Sequence, residues 1–74
     1  MEGIMKISYD PEVDALSIIF RETTVTTREL AKGIAADYDA EGLLAGIEVL
    51  NASERFGGRE KLSQIILEGV ELAA

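Results

Sequence analysis

Apolar and polar residues alternate with period two through most of the first fifty positions, the signature of strands with one wet face. Met5, Ile7 and Tyr9 alternate with Lys6, Ser8 and Asp10. Asp10-Pro11-Glu12 then predicts a turn, after which Leu16, Ile18 and Phe20 share one face and Ala15, Ser17 and Ile19 the other. Two strands so close in sequence read as a hairpin. Thr23 to Leu30 is rich in β-branched residues and predicts a third strand, at an edge with Arg28 and Glu29 in solvent. After the turn Ala31-Lys32-Gly33, the alternation resumes with Ile34, Ala36 and Tyr38. It continues beyond Asp39-Ala40-Glu41-Gly42 as Leu43, Ala45, Ile47 and Val49, which predicts a second hairpin.

The pattern changes after Leu50. Asn51, Ala52, Ser53 and Gly57-Gly58 interrupt it. From Arg59 onward Leu62, Ile65, Ile66, Gly69, Val70 and Ala73 recur at helical spacing, with Glu60, Lys61, Ser63, Gln64, Glu68 and Glu71 opposite them. The expected fold is therefore α+β: an antiparallel β-meander of about five strands, two hairpins plus a linking strand, packed against one C-terminal α-helix. Residues 1–74 form a single domain, with strands within 4–50, a loop over 51–58 and the helix over 59–72. Leu67 and Leu72 widen the apolar stripe of that helix. Leu62, Ile65, Ile66, Leu67 and Val70 are accordingly candidates for a partner interface.

The two hairpins echo each other. Tyr9-Asp10-x-Glu12 recurs as Tyr38-Asp39-x-Glu41, and Ile18 corresponds to Ile47, all at an offset of 29 positions. Each Asp is suited to accept backbone N–H groups of the turn it begins.

Composition narrows the picture. A chain of 74 residues without cysteine has no disulfide to reinforce a thin core, and a cytoplasmic location is the expectation. The apolar stretches Ala15 to Phe20 and Leu43 to Leu50 are too short to cross a membrane, and no signal-peptide pattern is seen at the N-terminus. Fourteen acidic against seven basic side chains give a net charge of −7, which disfavours direct nucleic-acid binding and suits a basic protein partner or a homo-oligomer.

Residues 37 to 48 carry the spacing of a calcium loop: Asp37, Asp39, Glu41 and Glu48 at the first, third, fifth and twelfth positions, and Gly42 at the sixth. Such a loop needs helices on both sides, whereas the flanks alternate as strands. These four residues are candidate ligands only, and the preferred expectation is a hairpin turn without metal or other cofactor. The absence of His and Cys removes Ser-His-Asp and Cys-His arrangements, thiolate nucleophiles and the usual zinc sets. Carboxylates such as Asp10, Asp14, Asp37 and Glu48 remain, and no catalytic constellation is recognisable; the protein is expected not to be an enzyme.

Met5-Lys6-Ile7-Ser8-Tyr9-Asp10, Asp14-Ala15-Leu16, Gly33-Ile34, Asp37-Tyr38-Asp39, Gly42, Gly46-Ile47-Glu48 and Leu50-Asn51-Ala52-Ser53 together resemble the small prokaryotic domain of unknown function numbered 2283. The resemblance covers residues 5 to 53 and implies a compact β-rich domain with no established activity. It also implies an antitoxin-like role as one expectation, because some relatives are thought to be encoded beside small toxin-like proteins. Two functions are expected from these readings: a non-catalytic protein-interaction module, or a domain that holds a cation at an acidic hairpin end.

Overall fold

A computed structural model describes residues 5–63 and 65–69. Five strands form one antiparallel sheet: β1 Lys6–Asp10, β2 Ala15–Ile19, β3 Thr26–Ala31, β4 Ile34–Tyr38 and β5 Leu44–Leu50. A single turn of α-helix, α1 at Ala52–Arg55, and a 3-10 turn at Arg59–Leu62 follow. The two expected hairpins and the edge position of β3 are present.

The expected sequential strand order is corrected. The strands lie in the order β1-β2-β5-β4-β3, so β5 is inserted between the first hairpin and β4. Short turns fix β1 to β2, β3 to β4 and β4 to β5, but the longer connection 20–25 leaves β2 free to pair with either β3 or β5. Placing Leu-Ala-Gly-Ile-Glu-Val-Leu in the middle and the uniformly exposed Thr-Thr-Arg-Glu-Leu-Ala at an edge puts the more apolar strand where pairing on both sides shields it.

The sequence echo is realised in the register. Ser8 pairs with Ser17, and adding 29 to each number gives the pair Asp37 with Gly46. Lys6 with Ile19 becomes Ala35 with Glu48 in the same way. Ile18 faces Ile47 across β2 and β5, so a local two-fold relation through that pair carries one hairpin onto the other. The Asp carboxylates repeat too: Asp10 accepts the N–H of Glu12 at 3.0 Å and Asp39 accepts that of Glu41 at 2.9 Å.

Register also sorts residues by face. One row runs Ile7, Ile18, Ile47, Ala36, Arg28, and the next in register runs Tyr9, Leu16, Val49, Ile34. The opposite face carries Lys6, Ile19, Gly46, Asp37 and Thr27, then Ser8, Ser17, Glu48, Ala35 and Glu29, then Asp10, Ala15 and Leu50. Arg28 is the one charged residue in the two apolar rows.

The expected helix over 59–72 is also corrected. Arg59–Leu62 is a 3-10 turn, and residues 65–69 are neither helical nor extended in a ladder; Gln64 and residues 70–74 lie outside the described residues. Ser63 closes the turn on the carbonyl of Glu60, through its N–H at 3.2 Å and its hydroxyl at 2.7 Å. A serine that satisfies the backbone locally competes with helix propagation. Gly69 adopts φ +74, and Ile66 is 76% exposed. A short helix persists only when tertiary contacts cover its apolar stripe, and Ile65 and Ile66 of this stripe are exposed. Conversely, the expected loop 51–58 contains α1, and no helix among the described residues is long and apolar enough to cross a membrane.

Candidate functional site

Two clusters of polar side chains deserve separate description, one at the end of the sheet where β1 meets β2 and one on its polar face.

The first is built around Asp14, which ends the β1–β2 turn in the left-handed region at φ 54, a conformation that a short polar side chain tolerates. Its carboxylate accepts the Tyr9 hydroxyl at 2.5 Å, the Ser53 N–H at 3.0 Å and the Ser53 hydroxyl at 2.8 Å. Its carbonyl accepts the N–H of Ala52, a fully buried residue, at 2.9 Å. The guanidinium of Arg59 lies 5.9 Å from the centroid of the Tyr9 ring. Donation from Tyr9, followed by that from the Ser53 backbone, lowers the pKa of Asp14 below its usual 3.8, and the same bond raises Tyr9 above 10.0. A carboxylate so stabilised is a poor proton acceptor near neutrality, so the Ser53 hydroxyl is hydrogen-bonded to a weak base. The cluster therefore fastens α1 to the first hairpin. Asp14 stands out in the sequence only as one of several carboxylates, and Ser53, 39 positions away, carries no local signal of this contact.

The second cluster contains the residues with calcium-loop spacing. Asp37 and Glu48 come together on the polar face, beside Gly46, whose missing Cβ leaves room: an added Cβ would stand 3.2 Å from Asp37 Oδ2. Thr27 donates to Asp37 Oδ1 at 2.5 Å. The neighbouring Asp37 carboxyl, first as a hydrogen-bonding group, then burial, then repulsion from the same carboxyl, raise the pKa of Glu48 above 4.5. Asp39 is turned elsewhere. Its Oδ1 accepts the N–H groups of Leu43 and Glu41, both at 2.9 Å, and its Oδ2 pairs with Arg21. These bonds, that from Leu43 foremost, lower the pKa of Asp39 below 3.8. Glu41 is exposed at the loop tip. Among the described residues no three acidic groups gather where a metal ion could be held.

Leu62 is half-buried in the 3-10 turn, Ile65, Ile66 and Leu67 are exposed, and Val70 lies outside the described residues.

These features define a small, mostly β domain whose polar clusters brace the backbone. Residues 6–53 match the family described as Protein of unknown function (DUF2283), and the chain belongs to that family. No curated protein and no solved structure matches the chain.

Proposed function

We propose that this protein is a small protein-interaction domain without catalytic activity of its own, and that its apolar sheet face is covered by another polypeptide. One observation carries the reading. Among the described residues the only buried apolar side chains are those of Leu16, Ala36, Ala45 and Ala52, and no large side chain is fully buried. Folding of a domain this size depends on burying about 60% of the unfolded chain's surface, and a sheet with an uncovered apolar face leaves its main source of stability unused. Among the described residues, the 3-10 turn reaches over the Tyr9 end of that face, and neither it nor α1 packs broadly on any strand.

A basic, toxin-like partner remains within this proposal. The acidic groups Asp10, Glu29, Asp37 and Glu48 lie on the polar face, which would be the side to meet it. We further propose a cytoplasmic location, supported by the absence of cysteine.

The test is the native mass of the protein in extract from its own cells, combined with hydroxyl-radical footprinting of Ile18, Ile34 and Ile47. A particle heavier than the 8.0 kDa chain, with these residues protected, is expected. A monomer with the same residues protected would mean that the chain covers its own face, and the reading would fall.

A further inference from the structure

Building on that reading, we propose that the occupant of the apolar sheet face is a second copy of this chain, packed face to face so that two five-stranded sheets enclose one shared core.

Charge is the first argument. The chain carries −7, yet the acidic side chains of the paired strands sit on the opposite face at Asp10, Glu29, Asp37 and Glu48. The rows Ile7–Ile18–Ile47–Ala36 and Tyr9–Leu16–Val49–Ile34 contain no carboxylate. A basic partner would need acidic groups on the surface it meets, and this face offers none. A second copy presents an equally apolar face, and the like charges of the two chains are then held on the two outer surfaces of the sandwich, separated by both sheets. Arg28, the one charged residue in these rows, is exposed on the edge strand β3 and stays at the solvated rim of such a sandwich, so apolar surface meets apolar surface without burying a charge that has no partner.

Area is the second. Five strands spaced about 4.8 Å apart, each about 17 to 23 Å long at roughly 3.3 Å per residue, present on the order of 400 to 550 Å² of plane. Side-chain relief and the exposed Met5, which precedes Ile7 on the same face of β1, add to it. The total approaches the ~800 Å² per partner of a standard specific interface, whereas a short peptide or a single helix would cover only a stripe of the sheet. Aligned packing of two twisted sheets about 10 Å apart is a common way to close such a core.

Neighbouring positions on the edge strand supply the test. Ile7 is 36% exposed on the apolar face, and Ser8 lies beside it on the polar face. Sedimentation equilibrium of the purified full chain is expected to give twice the 8.0 kDa mass. Ile7→Glu is expected to raise the dissociation constant at least tenfold while the far-ultraviolet spectrum keeps its β signature, and Ser8→Glu is expected to leave it unchanged. Footprinting of the wild-type chain above and below its dissociation constant covers the case in which Ile7→Glu does not fold: Ile18, Ile34 and Ile47 should become protected on association. A dimer in which those residues stay reactive, or which Ser8→Glu disrupts and Ile7→Glu does not, overturns the proposal. A folded monomer with the face open overturns the second copy and leaves the interaction reading standing. A folded monomer with the face protected overturns both.

Discussion

Asp14 and Ser53 stand 39 positions apart and are joined by two hydrogen bonds, from the Ser53 N–H at 3.0 Å and from its hydroxyl at 2.8 Å. This is the tie between the start of β2 and the single helical turn that follows β5. Because Tyr9 donates to the same carboxylate, three separate segments depend on it. Asp14→Ala is expected to lower the melting temperature by several degrees, roughly the scale that loss of a buried-end hydrogen-bond set produces in a domain this small. Ser53→Ala, which keeps the backbone donor, should cost less. Thermal unfolding followed by circular dichroism gives the order; a larger effect for Ser53→Ala would show that Asp14 is not the hub.

The acidic pairs predict opposite pH responses. Asp14 and Asp39 have folded pKa values below 3.8, so the stability they supply is present above that value and is lost as pH falls through their lowered values. Glu48 is raised above 4.5, so its contribution is greatest below that pH and is lost as pH rises through its folded value. Glu48→Gln imitates the protonated form. The variant should therefore melt higher than the wild type at pH 7, and the difference should shrink toward zero as the buffer is taken below about 4.5. A difference that does not vary with pH would remove the raised pKa of Glu48 from the account.

Gly46 sits mid-strand where β5 passes closely between β2 and β4. An added Cβ would lie 3.0 Å from the backbone oxygen of Ile18 and 3.2 Å from Asp37 Oδ2. Relief requires moving a central strand, so Gly46→Ala should destabilise by about 1 to 3 kcal/mol, the range for overpacking. Urea unfolding measures this, and an unchanged midpoint would contradict the close approach.

Arg21 and Asp39 form an ion pair that links the connection after β2 to the β4–β5 turn. Arg21 stays partly in solvent while the Asp39 carboxylate is largely covered, so Arg21→Ala should lower the urea midpoint only modestly. Asp39→Ala should be the more damaging, because the turn's N–H groups at Glu41 and Leu43 lose their acceptor. Comparing the two variants by urea unfolding separates turn formation from charge pairing.

Calcium titration of the wild type is expected to give no saturable heat, since both Asp39 oxygens are already engaged and Glu41 is exposed at the loop tip. A stoichiometric site abolished by Asp39→Ala would restore the cation reading and displace the turn reading.

Local pattern alone determined the strands, the hairpins and the side chains that share a face, because period two and short turns are properties of neighbouring residues. It also showed the echo between Tyr9-Asp10 and Tyr38-Asp39, which the register turns into a two-fold relation. Strand order was decided by the fold, since nothing local distinguishes β3 from β5 as the neighbour of β2. The meetings of Asp14 with Ser53 and of Asp37 with Glu48 follow from that order and from how β5 is inserted, so neither could be read along the chain. Residues 59–72 mark the same boundary from the other side: helical periodicity states which residues could share a stripe, but the stripe becomes a helix only where something buries it, and that is a property of the assembled structure.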